Sequence, residues 1–221
     1  MSSISAALSD SSATNTEIWV EIPTGYVPLP TEDIARNMAV ATDVIDEQAS
    51  PEQLPAAHAM IGLLRAYLES LAARNGLYCG VGHHVSAVDG SELSSSLVVA
   101  LQEYPEQVNP RILLKDLLNT KLAAGDQGEA DLVDLAGRPA LFFESTRVLP
   151  TPRIPGLTGE TSTVYQLEAL VPSADGSKLV SIEFSTPFMA HGAEFRAMVV
   201  GMAASVAFEA PGSGVASVLG G

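Results

Sequence analysis

The sequence predicts an α+β domain: a mostly antiparallel sheet of about seven strands, packed between helices and closed by a long C-terminal helix. Three observations carry this expectation. Strand-like segments come in pairs around glycine-containing turns, as antiparallel hairpins do. Apolar residues recur at helical spacing in four other segments. Of the 221 residues, 47% are hydrophobic and only 17% charged, which supplies a substantial core. Hairpins interspersed with helices, rather than strictly alternating strands and helices, give the α+β class.

Residues 1–15 are rich in Ser, Ala and Thr and are expected as a flexible arm. One domain is expected over 16–209, and the glycine-rich stretch 210–221 reads as a flexible tail. The first strand is TEIWVEI (16–22), ended by Pro23 and Gly25. A helix over about 32–47 follows, with Thr31 as its cap and Ile34, Met38, Ala41 and Ile45 on one face.

Ser50-Pro51-Glu52-Gln53 then marks a helix start, because serine can cap, proline suits the first position and Gln53 completes a capping box. Met60, Leu63, Leu64, Tyr67, Leu68, Leu71 and Ala72 form its apolar stripe, and Asn75-Gly76 stops it. Strands over 77–88 and 93–102 join around Asp89-Gly90. Asn109-Pro110 opens a helix that buries Leu113, Leu114, Leu117, Leu118 and Leu122. Further hairpins are expected at 131–136 with 139–149, and at 164–171 with 178–185, the latter turning at Asp175-Gly176. The last helix, about 192–208, buries Phe195, Met198, Val199, Met202 and Val206.

Charge and cysteine usage bound the function. A net charge of −15 with no Lys/Arg stripe argues against nucleic acid and against anionic membrane surfaces. One cysteine cannot form an internal disulfide, which suits a reducing compartment. The N-terminus lacks a basic start and an apolar core, and no run reaches the roughly 20 apolar residues of a membrane helix. The expected location is cytoplasmic, and the composition permits a homo-oligomer without requiring one.

The stretch LYCGVGHHVS (77–86) concentrates the chemistry-bearing residues. Alternation puts Cys79 and His83 on one face of a strand, but roughly 13 Å apart. His84 points the opposite way. No Cys–His dyad forms within the stretch, and neither CxxC nor HExxH spacing is present, so no metal is expected. A free cysteine most often behaves as a small hydrophobe. Gly80-x-Gly82 lacks the third glycine of a dinucleotide loop. If Gly80 and Gly82 shared a face with Ser94, Ser96 and Ala100, a small-residue patch would result. Either a helix docks there, or the patch forms a shallow groove rimmed by Tyr78 and His84.

The acidic residues Asp126, Glu129, Asp131 and Asp134 do not match calcium-loop spacing and read as a solvated turn. The segment 149–162 holds Pro150, Pro152 and Pro155, with Arg147 and Arg153 nearby. It is expected either as an ordered connection or as an extended proline segment offered to a protein partner.

The opening strand Trp19-Val20-Glu21-Ile22-Pro23-Thr24-Gly25-Tyr26 resembles the entry of Mog1/PsbP-like domains. The close is similar too: a tyrosine-containing strand, an Asp-Gly turn, a second strand (Tyr165 to Ser185) and a helix ending Ala204-Ser205-Val206-Ala207-Phe208. That resemblance implies an antiparallel sheet between helices in a mostly non-catalytic domain that binds proteins or stabilises assemblies, with no shared catalytic residues; no cofactor is expected. The long helix after Ser50 departs from it. A helix-grip fold, its sheet wrapped around the last helix, is the alternative architecture. The functional expectation is a non-catalytic protein-interaction or accessory module. The alternatives are a small-molecule or lipid carrier with an apolar cavity between sheet and C-terminal helix, and a hydrolase using Cys79.

Overall fold

A computed structural model describes residues 3–9, 17–151, 154 and 158–209. Its centre is a seven-stranded, wholly antiparallel sheet. The strands, numbered along the chain, are β1 (Ser3–Ser9), β2 (Glu17–Pro23), β3 (Tyr26–Leu29), β4 (Gly76–Val85), β5 (Glu92–Glu103), β6 (Gly128–Leu135), β7 (Arg138–Pro150), β8 (Thr161–Pro172) and β9 (Lys178–Thr186). The helices are α1 (Ile34–Gln48), α2 (Leu54–Ala72), α3 (Pro110–Ala123) and α4 (Arg196–Ser205). The large sheet runs β3-β4-β5-β9-β8-β7-β6, and β1 pairs with β2 in a separate ribbon. The fold is α+β, as expected.

The strand over 16–22 does not join the large sheet. The turn at Pro23–Gly25, with Gly25 at φ +99°, ends β2 and starts β3. Pro28 in β3 cannot donate to a ladder and sits on an edge strand, where that loss is tolerated. β2 instead lies beside α4: Trp19 and Ala207 exchange backbone hydrogen bonds at 2.9 Å in each direction. Ser3–Ser9, within the stretch expected as an arm, runs antiparallel along β2.

Parity sorts the sheet's two faces. One bears Leu97, Val99, Leu167, Ile182 and Phe184, all fully buried. Ile18 and Val20 of β2, Phe195, and Val199, Met202 and Ala203 of α4 pack on that face. The interface between sheet and C-terminal helix is thus filled by side chains. The opposite face carries two smaller clusters. Ile34, Met38, Leu68 and Leu71 of the α1–α2 hairpin cover Cys79 and Val98. Leu113 and Leu114 of α3 cover Leu141, Leu170 and Leu179. Helices therefore lie on both faces, unlike a helix-grip fold.

Local chemistry sets the boundaries. Asn109 caps α3 by accepting from the Arg111 and Ile112 amides. Gln53 Oε1 accepts from the Ser50 amide at 3.1 Å, the return half of a capping box. Even so, residues 51–53 form a turn and α2 begins at Leu54. The β6–β7 turn puts both Ala136 (φ +53°) and Gly137 (φ +88°) in the left-handed region, as a two-residue hairpin turn requires. The C-terminal helix is shorter than its apolar spacing predicts: Met189–Phe195 is a 3-10 segment and only Arg196–Ser205 is α-helical. No helix among the described residues is long and apolar enough to cross a membrane.

Candidate functional site

Cys79 is buried at 1% exposure beneath the α1–α2 hairpin. It stands opposite Leu29 on one side and Val98 on the other. Burial in that apolar setting pushes its thiol up to about 11, away from the thiolate a nucleophile needs. The histidines are committed elsewhere or point away. His58 contacts Asp46 at 2.7 Å, His84 lies on the opposite sheet face, and His83 is exposed. No cluster among the described residues could hold a metal ion.

The small-residue patch does not form as expected. Gly80 stands opposite Leu97, and Gly82 opposite Ser95. Even positions of β4 therefore share a face with odd positions of β5, which sends Ser94, Ser96 and Ala100 to the other side. Aromatic rings, not a helix backbone, lie over the glycines. A Cβ at Gly80 would stand 2.5 Å from the Tyr78 hydroxyl, and one at Gly82 would stand 2.4 Å from His84 Nε2. His84 Nε2 is 2.8 Å from Ser95 Oγ, which is also 3.0 Å from the Tyr26 hydroxyl. His84 contacts the Tyr26 and Phe195 rings edge-on. Burial lowers the His84 pKa, so its neutral form is favoured in this packed cluster.

His191 and Glu194 join two distant parts of the chain. Glu194 accepts from Ser86 Oγ at 2.9 Å and from the Ala87 amide at 3.0 Å, while His191 Nδ1 lies 2.7 Å from its carboxylate. They tie the β4–β5 turn to the 3-10 segment. The acidic residues after α3 meet arginines: Asp126 with Arg147, Asp131 with Arg196, and Asp134 with Arg111. Arg147 also donates to Gln166 at 3.0 Å. Of the proline-loop residues, Pro150 ends β7 opposite Thr161 and is exposed. Pro152, Arg153 and Pro155 lie outside the described residues.

Two features remain without an internal role. The first is an apolar strip on the helical hairpin. Met60, Leu63 and Tyr67, expected as core, are 58%, 45% and 42% exposed. Val40 and Val44 on α1 are exposed as well. Val44 and Met60 line one open groove of about 410 Å³ at the hairpin's tip. The second is a groove of about 320 Å³ where α2 and α3 part above the sheet, lined by Leu71, Leu117, Leu170 and Leu179, with the carboxylates of Glu168 and Glu183 and the cations of Arg74 and Lys121. Neither carboxylate stood out in the sequence, since both occupy ordinary polar positions of alternating strands. The exposed hairpin residues did leave a signal: the α2 stripe holds more apolar residues than one helix face can bury.

No protein-family model matches the chain. No curated protein matches it in sequence.

Proposed function

We propose that the protein is a non-catalytic accessory module that takes a basic amphipathic segment of a partner protein onto its α1–α2 hairpin. The observation that carries this reading is the open groove lined by Val44 and Met60, with Val40 and Leu63 also exposed on the same two helices. Exposed apolar side chains gathered at helical spacing mark docking surfaces more often than scattered ones do.

The charge around the strip selects the occupant. No lysine or arginine lies between Arg36 and Arg65, whereas Asp43, Asp46, Glu47 and Glu52 fall within that span. An apolar groove on a stretch of chain whose charges are all acidic favours a helix with apolar anchors and flanking Lys/Arg, and the net charge of −15 speeds the encounter. The resemblance to Mog1/PsbP-like domains agrees as an analogy of fold. The desolvated thiol of Cys79 argues against the hydrolase alternative.

Replacing Val44 and Met60 together by aspartate tests the proposal. Both positions are exposed, so each change should alter stability by no more than about 0.5 kcal/mol. Tagged V44D/M60D recovered from source cells should lose the partner that wild type retains, while Arg147→Ala retains it. Equal recovery by V44D/M60D would overturn the assignment of the surface.

A further inference from the structure

β6 closes one end of the seven-stranded sheet, and no described strand pairs with its outer edge. Residues 128–132 are all exposed. The β6–β7 turn fixes which backbone groups point outward. Leu135 and Arg138 flank its two left-handed residues, so these two exchange backbone hydrogen bonds. Bonding to β7 then alternates along the strand, and Gly128, Ala130, Leu132 and Asp134 turn their N–H and C=O groups away from it. Pro139, which has no N–H to give, stands opposite Asp134, where that alternation asks for none.

The two ends of the sheet differ. β3, at the other end, is four residues long and contains Pro28, both of which blunt an edge. β6 runs eight residues in unbroken register, without proline, lysine or bulge. Two of its three acids are drawn back into the fold, Asp131 by Arg196 and Asp134 by Arg111. A long, unblunted row of outward N–H and C=O groups is a template for another strand.

The chain itself leaves the fold beside this edge. Arg138, next to the turn, donates to the Ala204 carbonyl at 2.7 Å and to the Val206 carbonyl. Phe208 packs on the same cluster as Val133 and Leu135. The sequence continues as APGSGVASVLGG (210–221), which lies outside the described residues. The connection from Glu209 to Val215 can reach roughly 20 Å. The stretch VASVL (215–219) extends over about 17 Å, against roughly 27 Å for β6. A strand that starts near Leu135 and runs toward Gly128 is antiparallel to β6. Residues 210–221 carry no charge to meet Glu129, whereas a second copy's β6 would set the same acids against one another. We propose that residues 215–219 add to the outer edge of β6 as an eighth, antiparallel strand, which shields that edge from pairing with other chains.

Residue-resolved amide hydrogen exchange on the full-length protein tests this. The outward amides of Ala130 and Leu132 should exchange at least about tenfold more slowly in wild type than in V215P/V218P. The two prolines sit at positions of opposite parity, so one of them removes a bonding N–H whichever way the added strand faces. The amides of Asp131 and Val133, bonded to β7, should exchange alike in both proteins, and matching melting curves check that the domain is intact. Fast exchange of Ala130 and Leu132 in wild type would overturn the proposal, a result that needs no variant. So would protection that survives in V215P/V218P, or that grows with protein concentration, which would place a second copy on the edge.

Discussion

Among the described glycines, Gly176 leaves the least room for a side chain. It sits in the β8–β9 turn at φ +69°, and a Cβ there would stand 1.8 Å from the Val108 carbonyl oxygen, in the segment leading to α3. Neither the dihedral nor the contact tolerates a side chain. Gly176→Ala should destabilise the protein by about 3 kcal/mol, read from denaturant midpoints at constant slope. A loss under about 1 kcal/mol would show that the turn and Val108 can part cheaply. The sequence announced the turn through Asp175-Gly176, but not its contact with a loop 68 residues earlier. Glu183 titrates against stability. Its folded pKa is raised, so the native state holds its proton more tightly than the unfolded chain, and stability falls as pH rises through the range between the two values. Glu183→Gln should melt higher than wild type at neutral pH, and the gap should close in acid. A gap independent of pH would place the effect in packing instead.

At the scale of elements, local signals predicted most of the fold. Asn109-Pro110 specified the start of α3 through cap geometry that needs no distant partner. Asp89-Gly90 and Asp175-Gly176 placed two hairpins, because Gly90 and Gly176 adopt positive φ. What the sequence could not give was the surface each element meets. The α2 stripe reads as one buried face, yet its sheet-side neighbours use Leu68 and Leu71 and leave Met60, Leu63 and Tyr67 outside. The pairing of β4 with β5 turned on a single parity. A one-residue difference moves Ser94, Ser96 and Ala100 to the other face and places Ser95 beside His84. β2 was legible as a strand but not as a separate ribbon held to α4, since that choice rests on the Trp19–Ala207 bridge from the far end of the chain.

The whole molecule is asymmetric across its sheet. One face is filled by β2, the 3-10 segment and α4, with fully buried Phe184, Ile182 and Val199 at its centre. The other is covered in two separate pieces, the α1–α2 hairpin and α3, with a groove between them. A face covered in pieces leaves helix surface open, and here that surface exposes Val44 and Met60 within an acidic stretch of the chain. Net charge and cysteine count are whole-chain properties, so they were legible at once. The site depends on which helix faces remain open, and only the assembled layers decide that.

The central claim is that the outer surface of the α1–α2 hairpin receives a basic amphipathic segment. Photo-crosslinking tests it most directly, with a benzophenone side chain at position 60 and, in a second protein, at the equally exposed position 132 of β6. Sequencing of the linked peptides should identify a single segment from position 60, with lysine or arginine flanking apolar residues at helical spacing, and no such segment from position 132. Links from position 60 to another copy of the same chain, to an acidic segment, or to the same proteins reached from position 132 would contradict it.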